Sequence, residues 1–383
     1  MFEILATIQI PKGSGIGVLI YGLLGGIYNL VGNYGFAVIL FTLALRLIVL
    51  PMDFGNKYFT KKNAAKTAEF RDEDAALKQQ FAADPMKYMT ARREMWRRNG
   101  YNPMGSSLFM IVNLVLTLFI FFTVFSCLGQ VSTVNLNYQY EQLAVVYNEH
   151  EQDGTLETTD FRAQLNSAYT ENNSSFLWVH NIFRPDTWAQ KYPTFEEFKK
   201  ATTDVALPLA SDATAEQKEN YRSEMYDTII ANLDAKNKNG WNGFFLLVIA
   251  SAVTMYFSTA VNMAAMQKKK AADATKPVEV GYSVRHTREN QPDNAIPTID
   301  PAQMGKIMKW VLPVIMVIVT FSSNAAFALY ISAGAIIQTS LGFGVNALVD
   351  MILKKQEARA KADAPEHPII NPHSRYFKKR YEK

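Results

Sequence analysis

The sequence predicts an all-α polytopic membrane protein, and three observations predict it. Five apolar runs, Gly35 to Leu50, Leu108 to Leu128, Gly243 to Met266, Ile307 to Phe321 and Ala325 to Leu348, are each about long enough as helices to cross a ~30 Å hydrocarbon layer. The polar segments between them differ sharply in charge. The single cysteine, Cys127, excludes an intrachain disulfide framework, and the five scattered histidines have no metal-ligand spacing. The average conceals the pattern, because the 383 residues are 49% hydrophobic and the polar inserts bring mean hydropathy close to zero.

Residues 1–32 carry Ile16, Leu19, Ile20, Leu23, Leu24, Ile27, Tyr28 and Val31 at helical spacing, with Gly22, Gly25, Gly26 and Asn29 filling part of the other face. This reads as an interfacial helix. A sixth span or an uncleaved signal anchor is the competing reading, although the basic leader and small-x-small cleavage pattern of a signal peptide are missing. The first span is expected over 33–52, ending at Pro51-Met52-Asp53. Residues 53–103 read as a helical hairpin, with arms from Lys57 to Phe81 and Pro85 to Asn99, because Asp84-Pro85 combines a helix stop with a proline at a helix start. The second span is expected over 104–128. In the 129–240 insert, helices are expected around Thr194 to Ala201 and Thr214 to Leu233. The first opens on Thr194 with Glu197 three residues on, a capping-box pattern. The remaining spans are expected over 241–266, 305–323 and 325–350. Between the third and fourth, 267–304 is polar and proline-rich and reads as a flexible loop. The 351–383 tail begins helical and loosens through Pro365, Pro368 and Pro372.

Charge orients the spans. Lys and Arg number eleven in Asp53 to Pro103, eight in Gln267 to Lys309 and nine in Lys354 to Lys383, against nine in the far longer Gly129 to Gly240. Basic loops stay in the cytoplasm, so the N-terminus is expected outside and the C-terminus inside. The insert holds seventeen acids against its nine bases, net −8, in a chain of formal charge +4.

Chemistry-bearing motifs are scarce. There is no phosphate-binding Gly-x-x-x-x-Gly-Lys-Ser/Thr loop, and Gly13-Ser14-Gly15-Ile16-Gly17 lacks the preceding strand of a dinucleotide site. No Ser, His and acid set suggests catalysis at any membrane depth, so neither ATP hydrolysis, enzyme activity nor a cofactor is expected. What remains is polar residues within spans: Thr42 and Arg46, Asn113, Ser258, Thr259 and Asn262, Ser322, Ser323 and Asn324, and Gln338. The plain reading of each is an interhelical hydrogen bond. Arg46 stands apart, since a cation inside a membrane helix costs several kcal/mol, by disputed scales from ~3 to well over 10, unless it meets water or a partner. It either snorkels to the span's polar end, about 7 Å of helix rise away, or lines a water-filled groove. Thr42, four residues earlier, shares its face.

Taken in order, these residues resemble the YidC family of membrane protein insertases. The resemblance rests on Asn33-Tyr34-Gly35-Phe36 leading to Thr42-Leu43-Ala44-Leu45-Arg46 and Pro51, on Asp84-Pro85, and on Gly100-Tyr101-Asn102-Pro103-Met104-Gly105. It continues through Phe176-Leu177-Trp178-Val179-His180, Val253-Thr254-Met255-Tyr256, Lys306-Ile307-Met308 with Pro313, and Leu329-Tyr330. Departures are Phe109 and Val115 where prolines are usual, Asn113 for a glutamine, Thr259 at a position often glutamine, and Ile331 for a second aromatic. The insert between Trp188 and Trp241 and the loop before Pro301 are longer than usual.

The resemblance implies a five-helix insertase core without a large extra domain. Its polar groove, open to cytoplasm and lipid, would be lined by Arg46, Thr42, Asn113, Thr259, Tyr330 and Gln338. Implied partners are nascent membrane proteins and membrane lipid, with the ribosome, the Sec translocon and the signal-recognition-particle receptor as further candidates. The tail's Arg375-Tyr376-Phe377-Lys378-Lys379-Arg380 fits either RNA phosphate and bases or anionic lipid. Two other classes compete: a small-solute transporter or channel with an intramembrane anion site, which should show repeated halves that this sequence lacks, and a receptor or scaffold anchored by its spans.

Overall fold

In the computed structural model, described here over residues 8–13, 15–82, 84–99, 101, 103–203, 205, 207–209, 212–274 and 301–362, twelve helices account for most of the chain and no strand forms among the described residues. They are α1 (Ile16–Val31), α2 (Tyr34–Glu69), α3 (Arg71–Gln80), α4 (Pro85–Arg98), α5 (Pro103–Gln152), α6 (Thr159–Glu171), α7 (Phe195–Ala201), α8 (Ala215–Asn232), α9 (Ala235–Lys238), α10 (Leu246–Ala274), α11 (Pro301–Ser322) and α12 (Ala325–Ala362). Among the described residues three stretches, Tyr34–Ala64, Ile111–Gln152 and Ala325–Arg359, are long and apolar enough to cross a membrane. Shorter apolar stretches lie at Ile16–Val31, Leu246–Val261 and Pro313–Ser322. The chain is an all-α polytopic membrane protein.

The chain divides into two compact units, Met1–Pro51 with Ile111–Leu341, and Met52–Met110 with Gly342–Lys383. In the first, the sequence pattern translates directly into packing. On α2, Tyr34, Val38, Phe41, Leu45 and Val49 recur every third or fourth residue and are buried, whereas Phe36, Leu40, Leu47 and Ile48 are exposed. The buried stripe meets Ile20, Tyr21 and Leu24 of α1, Val124, Cys127, Leu128 and Val131 of α5, and Ala325 to Ile331 at the start of α12. Exposed apolar faces such as Ile111, Val115, Leu118 and Phe122 on α5 fit hydrocarbon as their solvent. Gly35 permits one close approach: a Cβ there would stand 2.1 Å from the Phe176 ring.

A second core in the same unit gathers Tyr140, Leu143 and Tyr147 of α5 with Phe161 and Leu165 of α6, Phe198 of α7, and Met225 and Ile229 of α8. The capping box of α7 is present, Thr194 Oγ1 accepting from Glu197 N while Glu197 accepts from Thr194 N at 2.7 Å. Thr214 and Gln217 repeat the arrangement on α8.

The segment between α6 and α7 ties helix starts together. Buried Asp186 accepts from Phe244 N at 2.8 Å, Leu247 N at 2.6 Å and Trp178 Nε1 at 3.3 Å, placing a carboxylate at the N-terminus of α10, where the helix dipole favours it. The carbonyls of Arg184 and Ile182 accept from Ala325 N and Ala326 N, the first amides of α12. Arg184 is itself buried and donates to Tyr140 Oη at 3.1 Å, the Tyr192 carbonyl at 2.8 Å and Glu197 at 3.2 Å.

In the second unit, α3 and α4 pair through Arg92 with Asp74 at 2.9 Å and through Arg98 with Glu73. Asp84 caps α4, accepting from Lys87 N at 3.0 Å. Lys61 bonds Asp350 at 2.8 Å and the Asn346 carbonyl at 3.1 Å, while Lys57 donates to the Gly342 carbonyl at 3.0 Å, joining α2 to α12.

Several expected helix ends move. The helix of the first span does not end at Pro51: α2 runs through it to Glu69, accepting the loss of one backbone hydrogen bond. The first hairpin arm is therefore divided at Phe70 between α2 and α3. The helix of the second span does not end at 128: α5 runs on to Gln152, 50 residues in all, ~75 Å of rise. Gly129 costs such a helix only about 1 kcal/mol, which the burial of Val131, Tyr140, Leu143 and Tyr147 offsets. Helix α6 had no counterpart in the sequence reading. In the expected flexible loop, α10 persists to Ala274 and α11 begins at Pro301; residues 275–300 lie outside the described residues, as does the tail from 363, including its Arg375–Arg380 motif.

Candidate functional site: a five-helix cavity around Arg46

Within the first unit, a cavity of about 160 Å³ is lined by residues of five helices. Helix α2 supplies Leu45, Arg46 and Val49; α5 supplies Thr117, Ile120 and Phe121; α10 and α11 supply Met255 and Met316. One face of α12 completes it with Tyr330, Ile331, Gly334, Ala335 and Gln338. The volume is well above the ~15 Å³ that one water requires.

Periodicity explains how these residues converge. Arg46 stands one position past buried Leu45, so it sits at the edge of the α2 core stripe and is half-buried. On α12, Tyr330, Gly334 and Gln338 are spaced by four and share a face. At Gly334 the two helices approach closely: a Cβ there would lie 3.5 Å from both Arg46 Nη2 and Thr42 Cγ2, in ordinary van der Waals contact. Among the described residues no hydrogen bond or ion pair engages the Arg46 guanidinium. Among the described residues the cavity walls carry no carboxylate. Its polar groups are the guanidinium, the Thr117 and Tyr330 hydroxyls and the Gln338 amide.

Three expected groove residues are placed differently. Thr42 is fully buried and its hydroxyl donates to the Val38 carbonyl at 2.7 Å, so it packs beside Arg46 without lining the cavity. Asn113 is half-buried one turn before Thr117, with its Oδ1 buried and unbonded. Thr259 lies one turn beyond Met255, and its hydroxyl donates to the Met255 carbonyl at 2.9 Å. Arg46, Tyr330 and Gln338, the other three residues named for a groove, line this cavity together with Thr117 and Gly334, which the sequence did not single out.

Other polar residues in the spans serve as interhelical contacts. Ser258 accepts from Thr339 at 2.9 Å, Ser251 and Thr320 are 3.2 Å apart, and Asn324 donates to the Leu128 carbonyl at 3.2 Å. Among the described residues no group of His, Cys, Asp and Glu could hold a metal ion.

Comparison with known proteins places this geometry. The model of the 60Kd inner membrane protein family matches residues 26–351. Among curated proteins, the membrane protein insertase YidC of Polynucleobacter asymbioticus is 33% identical over 95 residues, 25% of this chain and 16% of that protein. The YidC of Stenotrophomonas maltophilia is 30% identical over 99 residues, 26% and 17% of the two chains, and that of Burkholderia thailandensis 28% over 95 residues. These alignments span about a sixth of the relatives' length. The family match runs from α1 to α12, through every wall of the cavity, and the chain belongs to the 60Kd inner membrane protein family, that of the YidC membrane protein insertases.

Proposed function

We propose that this protein inserts membrane proteins into the lipid bilayer, holding the polar translocated segment of a substrate at the cavity around Arg46 while the substrate's apolar helix passes into lipid. One observation carries the reading: a guanidinium in a membrane-spanning helix faces a cavity walled by five helices and has no protein partner among the described residues. A structural arginine in such a place would be expected to hold an acid. An unpartnered one suits a transient acidic ligand. At ~4 Å and an intermediate dielectric, the pair gains a few kcal/mol before desolvation, enough to hold a segment and still release it.

The chemistry is binding and partitioning, with no covalent step and no ATP hydrolysis. Burial of the substrate's apolar helix offsets the crossing of its polar tail, and the membrane potential adds ~2.3 kcal/mol per charge per 100 mV. In this reading the basic second unit and tail face the bacterial cytoplasm, where hairpin and tail meet the ribosome. The 129–240 segment and the N-terminus lie outside, with α1 at the membrane surface. Docking to the Sec translocon or the signal-recognition-particle receptor would use the same cytoplasmic face.

Purified protein reconstituted into vesicles tests the proposal against its main alternative. Insertion of a one-span test protein, with no flux of small anions, is the expected result. Anion flux without insertion would make Arg46 the selectivity site of a transporter or channel and overturn the reading.

A further inference from the structure

Just before α10, the exposed Trp188, Trp241 and Phe244 cluster with the half-buried Phe245. Trp188 and Trp241 rings are 5.8 Å apart, Trp188 stands edge-on to Phe245 at 4.7 Å, and Trp241 meets Phe244 at 6.2 Å. Trp188 is 61% exposed and Trp241 52%, a costly display in water for residues that normally dominate buried surfaces. The cluster continues into the apolar outer face of α10, where Leu246, Ile249, Val253 and Phe257 are also exposed. Indole rings with one wet and one apolar side concentrate where a membrane helix leaves the hydrocarbon.

Lysines gather at the same place. The Gln190 to Trp241 bridge aligns the two strand-like segments, Lys191 donates to the Lys236 carbonyl at 2.9 Å, and Lys238 ends α9 two residues before Gly240. Three of the nine basic residues in an insert of net charge −8 thus border the tryptophans. Of the acids beside them, Asp186 is buried and its carboxylate is taken up by Phe244 N and Leu247 N, while Asp234 is 4.0 Å from Lys236 with both side chains more than half exposed, a weak, solvent-screened pair.

We propose that Trp188, Trp241 and Phe244 seat this end of α10 in the headgroup region of the bilayer, and that Lys191, Lys236 and Lys238 select anionic phospholipid there. The partner is the lipid surface. Indole dipoles and aromatic rings lie among headgroups and upper chain segments, and each lysine near an anionic surface enriches it by about fivefold at low salt. The inference requires α10 to span the membrane and is independent of what the cavity binds.

The test uses the full chain in phosphatidylcholine vesicles containing a fixed fraction of brominated lipid. Emission of the two indoles is the difference between the native chain and Trp188→Phe/Trp241→Phe. Bromines near the chain carbonyl should quench that emission more than bromines near the chain end. Brominated phosphatidylglycerol should quench several-fold more than brominated phosphatidylcholine at equal fraction. Lys191→Gln/Lys236→Gln/Lys238→Gln should abolish the preference; Lys236→Glu/Lys238→Glu, which leaves the Lys191 contact in place, should reverse it. Absence of quenching, which would turn the patch toward water or another protein, overturns the proposal. So does stronger quenching from the chain end, or a phosphatidylglycerol preference that survives both lysine variants.

Discussion

Removing the Asp186 carboxylate should be among the most damaging single changes outside the membrane-facing surfaces. Its two oxygens take Phe244 N at 2.8 Å, Leu247 N at 2.6 Å and Trp178 Nε1 at 3.3 Å, at a residue only 1% exposed. Hydrogen bonds to a charged group contribute ~1.5–3 kcal/mol each, and a donor left buried and unpaired costs about as much again. For two strong bonds and one long one, Asp186→Ala should destabilise by ~3–5 kcal/mol. Asp186→Asn keeps the shape but turns an amide toward one donor, and should lose roughly half of that. Gly243 gives an independent route to the same contact, because a Cβ there would fall 1.8 Å from Asp186 Oδ1. Gly243→Ala should therefore imitate Asp186→Ala, and the double variant should be clearly less than additive. The assay is the apparent melting temperature of purified protein in detergent, followed by tryptophan emission, with a drop on the order of 5 °C or more for Asp186→Ala. An unchanged melting temperature, or full additivity of the pair, would refute the claim that this carboxylate fastens the start of α10.

Three further outcomes can be checked alongside. Gly35→Ala should lower the melting temperature by forcing the Phe176 ring away, a strain of ~1–3 kcal/mol, whereas Gly26→Ala, with open space around it, should be neutral or slightly stabilising. Burial, aided by the positive charges of Lys191 and Arg184, pushes the His180 imidazole from its ordinary 6.5 down to about 4. The unfolded chain then binds more protons in that interval, so stability should be level above pH 6.5, fall between 6.5 and 4, and level again below; His180→Asn should flatten that part of the melting-temperature profile. Cysteines placed at Asn137 and Lys218 should react with an impermeant reagent in intact cells, and those at Lys66 and Lys379 should be shielded; the opposite pattern would invert the proposed orientation.

Signals that act over a few residues were the ones legible in the sequence. The Thr194 capping box and the Asp84-Pro85 helix start depend on neighbours three residues away, and both are present. Arg46 was legible because a charge in an apolar run has few explanations. Helix length was not: Gly129 and Pro51 look like stops, but burial on both sides carries α5 through Gly129, and beyond Pro51 the bonds of Lys57 and Lys61 to α12 accompany the continuing α2. Thr42 and Thr259 have the right chemistry for a groove, yet their hydroxyls satisfy the carbonyl four residues back, the usual choice of a threonine in a helix. Gly334 carries no polar group of its own, so only its place against Arg46 in the folded chain reveals it. Asp186 was one of seventeen acids in the insert until its partners at residues 244 and 247 came into view.

The central claim is that the Arg46 charge serves substrates, and substrate charge is the variable that tests it. Insertion into vesicles should be compared for one-span substrates whose translocated tails differ only in being acidic or neutral. Arg46→Ala should reduce insertion of the acidic-tailed substrate much more than of the neutral one, on the scale of the few kcal/mol that a pair in such a cavity can supply. Arg46→Lys should retain most activity for both, since a hydrated cavity asks for charge more than for a planar fork. Equal loss for the two substrates, or a folded Arg46→Ala protein that inserts both normally, would contradict the account.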